Sequence, residues 1–196
     1  MNSCHQLPDR DRPISLLAVF LAKYSPSTAE LVHWDDLRLH VTSYLTTDIP
    51  PLAFVTSVRA IVLNGSSVML VRAPDGTHIL PGGRREEGEA LTDTLMREVL
   101  EETGWTIDQL QLLGVKHYHH LTPMPLDYRY PYPDFLQIIY RARAQQHLPE
   151  AREIDGYELE TKFIPVAEAL RLPLMPSDHM WLRMVLAGGV DRLGAH

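Results

Sequence analysis

Apolar and polar positions change their period several times along the 196-residue chain, and each change predicts an element. Ile14 to Tyr24 is almost wholly apolar and predicts one helix, which Pro26 interrupts. Ser27-Thr28-Ala29-Glu30 has the spacing of a capping box, so a second helical stretch is expected to about Tyr44. Pro50-Pro51 closes this region. Phe54 to Leu63 is rich in β-branched residues and predicts a strand. Asn64-Gly65 turns it, and Val68 to Arg72 returns as its partner. Pro74-Asp75-Gly76 marks another turn, followed by a short strand His78-Ile79-Leu80.

Ala90 to Thr103 contains neither Gly nor Pro and reads as a helix, with Gly104 as its natural stop. Strands are expected over Leu112–Leu121 and Phe135–Ala144, the latter with Leu136, Ile138 and Tyr140 on one face. Between them runs Thr122 to Asp134, a long segment carrying four prolines and three tyrosines. Loops of this length are commonly functional. Glu158 to Ile164 suggests a last strand, then a short helix to about Leu170. Ser177 is the expected cap of a final helix that reaches Ala187 and stops at Gly188-Gly189.

One helical stripe changes character along its length. Leu91 and Leu95 face inward, and Glu98 and Glu102 continue the same face. Glu101 neighbours Glu98 three residues on. Three clustered carboxylates repel one another and lose hydration, and a divalent cation with oxygen ligands offsets both costs. Arg97 lies four residues from both Asp93 and Glu101, a spacing that lets it brace an acidic neighbour and hold ligand orientation. Gly82-Gly83 enters this region as a turn able to approach a ligand closely.

The residues from Gly83 to Trp105 form a spaced pattern: Gly83, Glu89, Arg97-Glu98, Glu101-Glu102, Gly104 and the apolar Trp105. This pattern resembles the signature box of the Nudix hydrolases. Trp105 is larger than the Ile, Leu or Val usual there, which raises a question of packing and not of chemistry. The resemblance implies an α/β fold: a Nudix-like α/β/α sandwich with a mixed sheet. Residues 51–196 would form that domain and residues 1–50 an N-terminal helical extension. It implies hydrolysis of a nucleoside diphosphate linked to another group X, with Mg²⁺ or Mn²⁺ on Glu98, Glu101 and Glu102. It also implies that the carbonyl of Gly82 binds metal. The general base is not fixed within the family. It can be a clustered carboxylate or a loop acid, for which Glu158 is the candidate and Glu153 and Glu160 its rivals.

Substrate choice is written faintly. Tyr128, Tyr130 and Tyr132 alternate along the proline-rich loop and can stack on a base or pack the loop onto the core. Arg84 and Arg85 offer bidentate donors to phosphate. Pairing with Glu86, Glu87 or other surface acids is the competing and heavier reading. His117, His119 and His120 resemble a metal cluster, but only His117 and His119 share a strand face, and two ligands fall short of a zinc site.

A formal charge of −7 argues against general affinity for a nucleic acid polymer or an anionic membrane. Cys4 is the only cysteine, which excludes an internal disulfide and fits a reducing cytoplasm. No apolar run reaches membrane-spanning length. The Ile14–Ala22 run is expected to be a buried helix in preference to a signal-peptide core. The expected partner is a small-molecule nucleotide, and a homodimer is left open. Two rival classes stand beside hydrolysis. One is a Nudix-like nucleotide-binding or sensor module without turnover. The other is an isomerase on the same fold, which would need a cysteine near the site, whereas Cys4 lies far off in sequence.

Overall fold

The computed structural model of the protein describes residues 11–34, 36–74, 76–153 and 160–188. In chain order the elements are α1 (Asp11–Leu21), β1 (Thr28–Trp34), β2 (Leu37–Leu45), β3 (Val55–Asn64), β4 (Ser67–Ala73), β5 (Gly76–His78), β6 (Gly82–Arg84), α2 (Leu91–Thr103), β7 (Trp105–His120), β8 (Asp134–His147), β9 (Glu160–Pro165), α3 (Val166–Ala169) and α4 (Pro176–Leu186). One mixed sheet runs β1-β2-β7-β8-β3-β4-β5, with β6 on β3 and β9 on β4. β3 and β8 pair in parallel, from Val55↔Leu136 to Leu63↔Arg143, and the other pairs are antiparallel.

Helices cover both faces. On one, Leu95 and Val99 of α2 and Leu17 and Phe20 of α1 pack on Val58, Val115, Leu136 and Ile138. On the other, Trp181 and Leu182 of α4 and Ala169 of α3 pack on Ile61, Leu113 and Ile139. This is the α/β/α sandwich that the box implies. Each face buries side chains separated by two residues on the central strands, as the pleat requires. At one side of the sheet the buried Lys116 ammonium of β7 donates to Asp178 in the first turn of α4 (2.9 Å), which fastens that helix beside the β1–β2 pair.

The expected second N-terminal helix is instead a hairpin. Thr28–Trp34 pairs with Leu37–Leu45 from Thr28↔Ser43 to Trp34↔Leu37. The spacing of Ser27 and Glu30 mimics a helix start, yet Leu37, Leu39, Val41 and Ser43 alternate with Arg38, His40, Thr42 and Tyr44. That period of two suits a strand and not a helix. Pairing of β2 with β7, from Leu39↔His120 to Leu45↔Gly114, makes the alternation decisive, because it gives the backbone ladder partners on both sides. The turn lacks the Asn-Gly or Asp-Gly that would announce it.

Three smaller differences follow from neighbouring contacts. Met175 is the N-cap of α4 and Pro176 its first residue, so Ser177 falls inside the first turn, fully buried, and is not the cap. The short strand expected over His78–Leu80 ends at His78, where pairing with Val71 ends. β7 begins at Trp105, directly after the left-handed Gly104 that ends α2. Trp105 is accommodated by stacking on His147 (4.8 Å between ring centroids) and by an edge contact with Phe163 (5.2 Å).

Candidate active site

Arg97 organises the acidic end of α2. Its Nε and Nη2 donate to the two oxygens of Glu89 (2.9 and 3.0 Å), a bidentate pair. Its Nη1 donates to both Glu98 Oε1 (2.9 Å) and Glu101 Oε2 (3.0 Å), and Nη2 also reaches the carbonyl of Arg84 (3.2 Å). One guanidinium thus joins the turn before the helix to two successive carboxylates on it. A planar, permanently charged fork suits that task, and an ammonium does not. Asp93, the other acid at the bracing distance in sequence, is not in this set.

Glu89 is fixed from several directions. Thr94 Oγ1 and the Glu86 N–H also donate to its Oε2 (2.8 and 3.2 Å). Hydrogen bonding from Arg97 is the main reason its pKa falls from the ordinary 4.5 to about 2, against a burial effect that raises it. Glu98 is pushed the other way. Burial raises its carboxyl above the ordinary range, opposed by Arg97 and Arg59 and reinforced by the charge of Glu101. Two carboxyls held by one arginine therefore differ in proton affinity because one is stripped of water and the other is saturated with donors.

The glycine turn lies against these carboxylates. A Cβ on Gly83 would stand 2.1 Å from Glu98 Oε2, and one on Gly82 would stand 2.3 Å from the Val58 carbonyl. Gly82 also has a φ of +128°, and its N–H donates to Glu102 Oε2 (2.8 Å). Only glycine permits both the close approach and that backbone conformation. β6 is thereby wedged between β3 and α2, with Glu98 over Gly83 and Glu102 on Gly82.

These residues fit a divalent cation in kind. Glu98, Glu101 and Glu102 are hard oxygen donors, and the first two already meet at a single cationic nitrogen. Among the described residues no three His, Cys, Asp or Glu side chains already converge as ligands. The charge that gathers Glu98 and Glu101 here is the guanidinium of Arg97.

A cavity of about 640 Å³ opens beside the turn. Gly83 and Arg84 border it on the side of the box, together with Thr56, Ser57 and Arg59 of the β3 segment. Its other walls are His33, Trp34, Leu37 and Leu39 of the hairpin, Phe135 and Gln137 of β8, His120 of β7, and Tyr128 and Tyr130 of the loop. Arg59 Nη1 donates to the Leu80 carbonyl (2.9 Å). The Arg84 guanidinium lies over the Tyr130 ring, 5.0 Å from its centre. Tyr128 Oη is 2.7 Å from His120 Nε2, and burial holds that imidazole below its ordinary pKa.

The remaining candidates distribute unevenly. Tyr132 donates to the Thr122 carbonyl (3.1 Å) and is not among the residues lining the cavity. Arg85 Nε donates to the Glu89 carbonyl, inside the turn. His117 Nε2 and His119 Nδ1 each lie 2.8 Å from Asp134 Oδ1. Burial raises the Asp134 pKa, but its hydrogen bonds with those two histidines outweigh this and leave it below the ordinary range. Glu158 lies outside the described residues. Glu160 pairs with Arg72 on the sheet (3.2 Å). The N–H of Glu153 donates to the Glu101 carbonyl (2.8 Å), which brings that residue to the acidic end of α2.

Four residues of this site carried no usable signal in the sequence. Arg59, Gln137, Trp34 and His33 sit on strands whose facing depends on register, and register comes from pairing over long separations. Glu89 was visible as a member of the spaced pattern, but its service to Arg97 needs the turn to fold back.

Residues 53–185 match the NUDIX domain family. Among solved structures, the chain is similar to a NUDIX hydrolase from Nitrosomonas europaea, with 20% identity over 72% of this chain and 97% of that one and a TM-score of 0.53. It is also similar to the Bacillus subtilis pyrophosphohydrolase BsRppH, with 20% identity over 81% of this chain and 91% of that one and a TM-score of 0.50. At that identity the two structures speak for the fold, and the family match speaks for the lineage. With two thirds of its length matched and the complete box folded onto one helix and its glycine turn, the chain belongs to the Nudix hydrolase family.

Proposed function

We propose that this enzyme hydrolyses the diphosphate linkage of a nucleoside diphosphate joined to a group X, with Mg²⁺ or Mn²⁺ held by Glu98, Glu101, Glu102 and the Gly82 carbonyl. The observation that carries this reading is the Arg97 cluster, which draws Glu89, Glu98 and Glu101 together at the edge of a cavity large enough for a nucleotide. When bound, the cation supplies neutralisation of the diphosphate and activation of water.

The chain's own groups divide the remaining work. Arg97 positions the acidic residues. Arg59 and Arg84 present guanidinium donors beside the box and would hold phosphate oxygens. Tyr128 and Tyr130 would bound the nucleoside end. For the general base we keep Glu158 as the candidate, with Glu153 as its rival, since the backbone of Glu153 is tied to Glu101. Glu160 suits the role less, because its carboxylate is committed to Arg72. The single cysteine keeps a reducing cytoplasm as the proposed compartment.

The test is a panel of nucleoside diphosphate derivatives assayed with Mg²⁺, with Mn²⁺ and with excess chelator, reading release of the nucleoside monophosphate. Turnover of at least one diphosphate-linked compound that chelation abolishes is expected. Full turnover in chelator, or nucleotide binding with no turnover under either metal, would overturn it.

A further inference from the structure

We infer that the β1–β2 hairpin is the base-binding wall of this enzyme: the indole of Trp34 stacks on the planar ring of a nucleotide, and the Gln137 amide meets that ring's edge. The inference rests on the nucleotide reading of the cavity and assigns a role to a segment outside residues 53–185, the part that matches the family.

Trp34 ends β1 at the lip of the cavity. One side of its ring is backed by Tyr118, 5.4 Å away at 33° between planes, and Tyr118 is in turn stacked on Phe135 at 4.7 Å. Trp34 nevertheless stays 46% exposed. A large apolar ring, braced from behind and open in front at the mouth of a pocket, is a surface that a flat ligand covers. Its presence at the lip follows from register: Trp34 pairs with Leu37, and both line the cavity.

The walls are sorted by chemistry. Arg59 and Arg84 lie on β3 and β6, in register with Gly82 and Ser57, at the box side. The hairpin brings an indole, two leucines and the imidazole of His33. A nucleotide has the same polarity, anionic at one end and flat with apolar faces at the other. A sugar in the hairpin half would forgo stacking on the indole and set most of its hydroxyls against Trp34, Leu37 and Leu39.

The floor adds an edge reader. Gln137 is 8% exposed and lines the cavity. Its Oε1 accepts from the Tyr118 hydroxyl (3.2 Å) and its Nε2 donates to Ser57 Oγ (3.0 Å). Each atom keeps one further capacity, a second lone pair on oxygen and a second N–H on nitrogen. An amide pinned at both ends presents an acceptor beside a donor, the pairing a base edge returns.

Binding without turnover tests this. Tryptophan fluorescence and calorimetry of the full chain, with no added metal, are followed during titration with the four common nucleoside 5′-monophosphates. Ribose 5-phosphate, which has the sugar and phosphate but no base, is titrated in parallel. At least one mononucleotide is expected to quench wild-type fluorescence and to bind well ahead of ribose 5-phosphate. Trp34→Ala should weaken it by about tenfold or more, the scale of base–aromatic stacking, while Trp34→Phe retains most of the affinity. If Trp34→Ala does not fold, Trp34→Leu, which keeps apolar cover without a stacking face, makes the same comparison. The inference is overturned if no mononucleotide binds, if ribose 5-phosphate binds as well as they do, or if removing the indole leaves affinity unchanged. Because no turnover is read, a failed hydrolysis assay would remove the proposed reaction and leave this result standing or falling by itself.

Discussion

The acidic end of α2 and the hairpin end of the cavity are built in opposite ways. Every side chain of the Arg97 cluster comes from Glu89 to Glu101, and the turn that it closes begins at Gly82. The cavity draws its walls from His33 to Gln137, across six strands and a loop. The proposed reaction chemistry is local and ionic, while the proposed recognition surface is long-range and depends on register. The first kind of site survives repacking of distant parts. The second is altered by a one-residue slip in any strand that faces it.

The sharpest way to break this contrast is at the carboxylates. Glu101→Gln and Glu102→Gln should each lower kcat by about a hundredfold or more, since even outer-shell changes at metal sites cost about 10–100-fold. Mononucleotide binding should persist, and far-UV circular dichroism should match the wild type. Loss of binding alongside turnover would show that the two regions are one unit.

A second test asks whether the ionic region is local in stability too. Glu89→Gln removes the bidentate acceptor of Arg97 and should cost about 2 kcal/mol at neutral pH, the scale of charge-assisted hydrogen bonds. The sign follows from the depressed pKa. The ionised form is favoured in the folded state, so the contribution is present above the ordinary 4.5 and is lost as pH falls toward about 2. Denaturant melts of wild type and variant should therefore differ at pH 7 and converge near the acid end of that window. Curves separated equally at both pH values would refute the assignment.

Three smaller effects sharpen the recognition side. Tyr130→Ala removes the ring beneath Arg84 and should raise KM by about tenfold, with little change in kcat, as loss of uniform binding does. Tyr128→Ala should act in the same direction, because that ring also lines the cavity. Tyr132→Ala should change KM least of the three, as Tyr132 braces the loop at Thr122 and lies outside the cavity wall. Steady-state kinetics on one nucleotide substrate ranks them. A larger effect at Tyr132 than at Tyr130 would mean that the loop acts through its conformation and not through contact.

How much could be read in advance follows from the same contrast. Helix α2, its stop at Gly104, the β3–β4 hairpin at Asn64-Gly65, and the strands β7 and β8 were all legible, because each is announced by periodicity or turn chemistry within a short window. The bracing role of Arg97 was legible in kind, but its chief partner was not. Spacing along a helix points to Asp93 and Glu101, whereas the fold brings Glu89 back across the turn. The N-terminal region misled for a related reason. Ser27 and Glu30 satisfy a local rule for helix starts, while the pairing that makes Thr28–Trp34 a strand lies in β2, and β2 in turn is held by β7 far along the chain.

The sequence by itself therefore determined the α/β class, the box helix, the carboxylates on one of its faces and the glycines beside them. Helix periodicity and turn chemistry act between near neighbours, and near neighbours are written next to one another. Only the tertiary structure decided that Glu89 anchors Arg97, that His117 and His119 share Asp134, and that an N-terminal hairpin closes a cavity beside the box. Those outcomes are fixed by strand register and sheet order, which minimise buried unpaired backbone and exposed apolar surface over the whole chain at once.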